Sequence, residues 1–195
     1  AGDDDFLFYL DNLAQWKDKL KCKIYAFCLM TNHVHLVIDP GSNSENLGKL
    51  MKRVAGRQTR FVNRIEGRSG SLWEGRFKSS PIDSDSYLLA CCRYVEMNPV
   101  AAGMCMHPSD YRWSSCSSKL DEPHYSWLDF DPFFLGLGKN ASERRKRYGE
   151  FLQAAASEQE RETIRLAVQR GQLTGGARFV DEVEKKLNQR IELRG

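Results

Sequence analysis

The apolar positions change period several times along the chain, and each change predicts an element. From Asp5 to Leu20, Phe6, Leu7, Tyr9, Leu10, Leu13 and Trp16 follow a helical period, with Lys17 and Lys19 near the end where a helix favours cations. Cys22 to Leu29 is a continuous β-prone run, Thr31-Asn32 interrupts it, and His33 to Asp39 resumes it, so the two runs predict a β-hairpin. Pro40 to Ser44 reads as a loop whose Ser44 caps a second helix over about Glu45 to Ile65, burying Leu47, Leu50, Met51, Val54, Phe61, Val62 and Ile65. Beyond Gly67-Arg68-Ser69-Gly70, the stretch Ser71 to Ile82 reads as extended. Asp83-Ser84-Asp85-Ser86 then caps an apolar helix over Tyr87 to Met97, ended by Asn98-Pro99. Ala101 to about Asp131 is irregular; a helical region covers Ser142 to about Arg170, and Gly171 to Gly176 leads to an amphipathic helix over Ala177 to Ile191.

The polar residues set into this pattern carry the chemistry. Side chains alternate across a strand, so His33 and His35 project side by side while Val34, Leu36 and Ile38 enter the core behind them. Two neutral imidazoles on one strand are half of a divalent-cation site and need a third ligand. Tyr87, Cys91, Tyr94 and Asn98 are spaced four, three and four apart, which puts a phenol and an amide on one face of their helix. Lys49, Arg53, Arg57, Arg60 and Arg64 form a basic stripe on the second helix without an interleaved acid, a pattern suited to phosphates. Trp73 and Phe77 interleave with Arg76 and Lys78 as in single-strand binding, although a core role for the aromatics is equally open. Arg144 and Arg145 open the run Arg144-Arg145-Lys146-Arg147 in the first turn of a helix, where cations call for an anion.

Composition narrows the classes without selecting one. The 195 residues are 41% hydrophobic and 28% charged, enough for one domain with an appendage, and the formal charge of +3 makes the placement of basic residues matter more than their number. No run is apolar enough for a membrane span, and Ala1-Gly2-Asp3-Asp4-Asp5 is unlike a signal peptide. The six cysteines include no C-x-x-C spacing, and adjacent Cys91 and Cys92 point different ways on a helix, the pattern of reduced, buried thiols.

Three classes of metal-histidine chemistry use such a strand. Histidine-triad hydrolases need H-x-H-x-H, and Val37 stands at the third position; two-histidine phosphodiesterases need two H-x-S/T copies, and only His107-Pro108-Ser109 has those letters. The HUH nucleases remain. Tyr25-Ala26-Phe27-Cys28-Leu29-Met30-Thr31-Asn32-His33-Val34-His35, then Leu72-Trp73-Glu74-Gly75-Arg76-Phe77-Lys78, then Arg93-Tyr94-Val95-Glu96-Met97-Asn98-Pro99-Val100 with Ala102-Gly103 resemble the single-tyrosine HUH transposases of the IS200-like type. The REP-associated branch, which handles hairpin repeats in bacterial genomes, is the most similar, and the three motifs occur in the family's order from about Lys21 to Gly103.

The resemblance implies His33, His35 and Asn98 as ligands of Mg²⁺ or Mn²⁺, Tyr94 as nucleophile with Tyr87 as its fallback, and single-stranded or hairpin DNA as substrate, cut through a 5′-phosphotyrosine intermediate. A hairpin-binding protein that no longer cuts is the competing reading; retention of all four residues favours the enzyme. The implied fold is an α+β ferredoxin-like sandwich with a central antiparallel sheet over residues 1–120, followed by a DNA-contacting helical extension over 121–195, in a monomer or homodimer of the bacterial cytoplasm, at the nucleoid. Two departures stand out. Family members begin with a strand and an R-G-N-like loop, whereas here the first helix follows Ala1-Gly2 directly, which predicts an exposed strand edge; and Ala101 replaces the usual arginine.

Overall fold

The computed structural model describes residues 2–83, 87–121, 124–154 and 158–170. The expected amphipathic helix over Ala177 to Ile191, its Gly171 to Gly176 connection and most of the Asp83 to Ser86 cap lie outside them. Helix α1 (Asp3–Leu20) opens with three aspartates, and the Gly2 backbone N–H donates to the Asp5 carboxylate at 2.7 Å. It leads into strands β1 (Lys23–Leu29) and β2 (Val34–Asp39), joined by a tight turn in which the Met30 N–H donates to the His33 carbonyl at 2.9 Å. Gly41, which follows the hairpin, has φ +71°, and a Cβ there would lie 2.8 Å from the Lys21 carbonyl oxygen, so this position requires glycine.

The hairpin divides the molecule into layers. Residue Tyr25 is a bulge between the pairs Ile24↔Ile38 and Ala26↔Val37. Without that extra residue, Ile24 and Phe27, three apart, would point to opposite faces. With it, Ile24, Phe27, Leu29, Val34, Leu36 and Ile38 all pack with Tyr9, Leu10 and Leu13 of α1 and Leu50 and Val54 of α2 (Glu45–Glu66). The other face, with Tyr25, Cys28, Met30 and Val37, packs against Leu88, Cys91, Cys92 and Val95 of α3 (Leu88–Ala101). Both faces are thus covered, which explains why β1 is apolar without interruption.

Among the described residues the fold is α+β, with several helices around an antiparallel sheet of two strands. Ser71 to Ile82, expected to be extended, is a series of bends with a single bridge residue, Ile82; glycine, serine and proline leave it few apolar residues with which to hold a strand. The outer edge of β1 is closed by a later part of the chain. Leu29 donates to the Trp113 carbonyl at 2.9 Å, Ser115 donates to the Phe27 carbonyl at 3.0 Å, and the Asp129 carboxylate accepts from the Ile24 N–H at 2.9 Å and from the Lys17 ammonium at 2.5 Å. The edge of β2 has no partner strand among the described residues.

Two helix ends differ from expectation for identifiable reasons. Ser44 makes no side-chain cap; Asn43 Oδ1 accepts the Glu45 N–H at 2.9 Å instead. Helix α3 does not stop at Asn98-Pro99 but continues to Ala101 with Pro99 inside it. Proline leaves the carbonyl four residues back, Val95, without its helical donor. The Asn98 amide takes part of that role, donating to the Tyr94 carbonyl at 2.7 Å and to that of Val95 at 3.4 Å.

A C-terminal helical set packs around α3: α4 (Cys116–Leu120), α5 (Pro132–Gly136), α6 (Ala141–Gln153) and α7 (Glu158–Arg170). The single helical region expected from Ser142 is therefore two helices. A fully buried polar cluster joins this set to α3. The Glu96 carboxylate accepts from the Ser115 hydroxyl at 2.5 Å, the Lys119 ammonium at 3.0 Å and the Tyr148 hydroxyl at 2.6 Å. Glu96, Lys119 and Tyr148 are each 0% exposed. Burial disfavours the Lys119 ammonium, yet the surrounding groups hold its pKa above the ordinary value; because burial keeps the Cys92 thiol protonated, Glu96 is the neighbouring charge responsible.

Candidate active site

The α3-facing side of the sheet ends in the two histidines. His35 stands opposite Cys28 in the register, and alternation carries His33 to the same side, so their Nε2 atoms come within 3.0 Å of each other with the rings at 86°. Two ligands on one octahedral cation with bonds near 2.1 Å lie about 3.0 Å apart, so the observed spacing fits a pair of cis ligands. Asn32 Oδ1 lies 2.7 Å from His33 Nδ1. Donation from Nδ1 to that oxygen leaves Nε2 as a lone pair aimed at the shared point, the outer contact typical of ligating histidines. Burial, and secondarily the proximity of His33, lower the His35 pKa to about 4, which keeps this imidazole neutral and available as a ligand at neutral pH.

Helix α3 brings the other two residues. The Tyr94 ring meets His35 edge-on with centroids 5.8 Å apart, and Asn98 follows one turn later on the same face. The bonds that hold the Asn98 amide nitrogen to the helix commit that atom and leave Oδ1 for a hard cation. Two imidazoles and one amide oxygen are a mixed nitrogen and oxygen donor set that could hold a divalent cation. Tyr87 stands just ahead of α3, its N–H donating to the Asp83 carbonyl at 3.1 Å. Seven residues separate it from Tyr94, about 10 Å along the helix axis. The phenol against the histidine pair is that of Tyr94.

Residues 5–98 match the family model described as Transposase IS200 like. That segment is similar to the IS200-like transposases. The matched segment contains both histidines, Tyr94 and Asn98. Neither curated proteins nor solved structures give a significant match.

The remaining candidates fall elsewhere. The stripe on α2 lies in the layer across the sheet from the histidines, since Leu50 and Val54 of the same helix pack on the opposite sheet face. Within it, Lys49 pairs with Glu45 at 3.0 Å and Arg53 lies over the Trp16 ring at 5.0 Å, while Arg57 is half-buried and Arg60 and Arg64 are exposed. Trp73 packs against the α1/α2 core, and its indole N–H donates to the Ala55 carbonyl at 3.1 Å, so it is anchored rather than displayed. Arg76 and Lys78 are exposed, and the ring open to solvent between them is Phe77, at 44%. In α6, Asn140 Oδ1 accepts the Glu143 N–H at 2.9 Å and Glu143 supplies the first-turn negative charge, while Arg144 donates to the Gly138 carbonyl at 3.3 Å. That helix start is satisfied by its own neighbours. Arg145 is half-buried on the same turn.

Two residues at the site carried no separate signal in the chain. Asn32 is next to His33 and reads as turn chemistry until its distance to Nδ1 is seen. Glu96 lies between Tyr94 and Asn98 in sequence but on the opposite side of α3, and its partners Lys119 and Tyr148 are remote in the chain.

The depressed His35 pKa has a measurable consequence. The unfolded chain takes up a proton near pH 6.5, whereas the folded protein refuses it until about pH 4. Stability is therefore complete above pH 6.5 and falls as pH drops toward 4. In EDTA, urea midpoints of the wild type should fall more steeply across this range than those of His35→Asn. Parallel slopes would mean that His35 is not buried as described.

Proposed function

We propose that this chain cuts and rejoins single-stranded or hairpin DNA, with Tyr94 as nucleophile and His33, His35 and Asn98 holding Mg²⁺ or Mn²⁺. The observation that carries the reading is the meeting of three groups on one sheet face: the two Nε2 atoms at 3.0 Å and the Tyr94 ring against His35. A divalent cation held by His33, His35 and Asn98 would supply Lewis acidity to the scissile phosphate and would stabilise charge on the leaving oxygen.

The chain's own residues do the rest. Tyr94 Oη forms the new bond to phosphorus, the phosphorus–O3′ bond breaks, the phenol proton passes to solvent, and O3′ takes up a proton from solvent as a free hydroxyl. The product is a 5′-phosphotyrosine ester. Because this diester replaces a diester, attack by another 3′-hydroxyl reverses the step without an external energy source. Burial raises the Tyr94 pKa, which favours the protonated phenol in the free protein. Hairpin repeats of the REP-associated kind are the substrate class that the motif order suggests, with a monomer or homodimer acting in the bacterial cytoplasm.

The test is incubation with labelled hairpin oligonucleotides bearing single-stranded flanks, in Mg²⁺ or Mn²⁺, followed by a denaturing gel. A covalent band that requires the metal is expected; tight binding with no band from any hairpin would instead favour a non-cutting binder. The α2 stripe should act separately. Arg57→Ala with Arg60→Ala and Arg64→Ala is expected to weaken hairpin binding and reduce the salt dependence by about 3 counterions, while the adduct rate at saturating DNA stays within about twofold. An adduct rate that falls with affinity at saturation would place the stripe in the chemistry.

A further inference from the structure

Helices α2 and α3 lie on opposite faces of the hairpin, so DNA held by the α2 stripe must pass from one layer to the other to reach Tyr94. The chain makes the same passage between Trp73, which packs in the α1/α2 cluster, and Ile82, which packs in the α3-facing cluster with Tyr94. The start of this passage is held to the C-terminal half of α2. Asn63 donates from Nδ2 to the Gly70 carbonyl at 2.9 Å, and the Trp73 indole donates to that of Ala55 at 3.1 Å. Beyond these anchors every residue from Glu74 to Ser79 is exposed. Phe77, within that run, is the one exposed Phe, Tyr or Trp among the described residues. Arg76 and Lys78 on either side of it make no ion pair among the described residues, whereas Lys49 is paired with Glu45 and Arg144 with a carbonyl.

We propose that residues 74–79 bind the single-stranded flank of the substrate, with a base stacked on Phe77 and phosphates paired with Arg76 and Lys78, and so lead the strand from the α2 layer toward Tyr94. The inference rests on the single-stranded substrate proposed above and not on the chemistry of its cleavage. An exposed apolar side chain by itself is ordinary on a protein surface. Here the exposed ring stands between two uncommitted cations, on a run that starts beside the half of α2 carrying Arg57, Arg60 and Arg64. A single strand needs that combination: its phosphates pair with cations, and an unpaired base covers an aromatic face. The stem of a hairpin keeps its bases stacked within itself and offers no free base face, so the site selects the flank. Trp73 has the same ring chemistry but is committed to the core, where it holds the run in place while Phe77 meets the DNA. Stacking reads no hydrogen-bond pattern, so the site should tolerate any flank sequence.

The experiment titrates wild type, Phe77→Ala and Phe77→Trp, in EDTA so that no strand is cut, with a blunt hairpin oligonucleotide and with the same hairpin carrying oligothymidine flanks. Wild type should bind the flanked hairpin about tenfold or more tightly than the blunt one. Phe77→Ala should lose most of that advantage with its affinity for the blunt hairpin unchanged, and Phe77→Trp should keep it, because the larger ring also stacks. With 5-iodouracil in place of the flank thymines, irradiation of the wild-type complex should crosslink the flank to Phe77, read by mass spectrometry. Equal affinity of the wild type for the two hairpins overturns the proposal, as does a Phe77→Ala affinity for the flanked hairpin within twofold of wild type. Equal losses on both hairpins, or crosslinks confined to other residues, assign Phe77 to another role and also overturn it. Adduct formation in Mn²⁺ scores the strand-transfer reading separately. An adduct without a flank preference leaves that reading standing, and flank binding through Phe77 without any adduct overturns that reading alone.

Discussion

Tyr94→Phe should abolish covalent capture of a hairpin oligonucleotide, with a loss of about a thousandfold or more, while Mn²⁺ binding and hairpin affinity stay within a few-fold of wild type. The substitution removes one oxygen. The ring that packs edge-on to His35 remains, Asn98 keeps the carbonyls of Tyr94 and Val95 as acceptors, and the histidine pair is untouched. What disappears is the atom that would bond to phosphorus, and losing a nucleophile costs far more than losing a positioning contact. Tyr87→Phe is the matched control, and its adduct yield should be unchanged, because that residue sits two turns earlier at the mouth of α3. Denaturing gels with Mn²⁺ and direct metal titration read both effects.

The second large effect is on the fold. Glu96→Ala removes the acceptor for Ser115, Lys119 and Tyr148 in one step and leaves the Lys119 ammonium in a site with no solvent access. Breaking one side of a buried ion pair typically costs about 3–5 kcal/mol, a large part of the stability of an ordinary domain. Glu96→Gln keeps the shape and some of the hydrogen bonds but still removes the charge opposite Lys119, so its loss should be smaller. Glu96→Leu combined with Lys119→Met removes both charges together and should recover much of the Glu96→Ala loss, because paired apolar replacement avoids a stranded charge. Urea unfolding of the three variants would give that order. A Glu96→Ala midpoint equal to wild type would show that the cluster does not hold α3 to the C-terminal helices.

The sequence revealed the parts of this molecule that depend on local periodicity. The α1 and α2 stripes, the hairpin and the shared face of His33 and His35 follow from spacing alone, and α3 differed only in running past Pro99. That difference arises because the side chain of Asn98 reaches the carbonyls that a proline leaves poorly served, which a residue-by-residue reading treats as a stop. The tertiary replacements were not legible. Nothing in Trp113-Ser114-Ser115 announces that it will close the edge of β1, and the acidic Asp129 gives no sign that it caps Ile24 and Lys17 together. Charge patterning was the weakest guide. Arg144 read as an anion site because the first turn of a helix disfavours cations, but Asn140 and Glu143 already satisfy that turn and Arg144 folds back on the Gly138 carbonyl. Trp73 likewise read equally well as a stacking platform or a core residue, and its bond to the Ala55 carbonyl selects the core. The four residues of the candidate site were visible because each has a distinctive type at a periodic position. Their surroundings, Asn32 apart, come from chain segments too distant to leave a local pattern.

These placements make the nucleophile the point on which the account stands. The direct measurement is to trap the adduct with a hairpin oligonucleotide in Mn²⁺, digest the protein and the DNA, and locate by mass spectrometry the residue that carries the nucleotide. The account predicts a 5′-linked nucleotide on Tyr94, absent when EDTA replaces the metal. A nucleotide on Tyr87 or any other residue, or an adduct that forms equally well in EDTA, would contradict it.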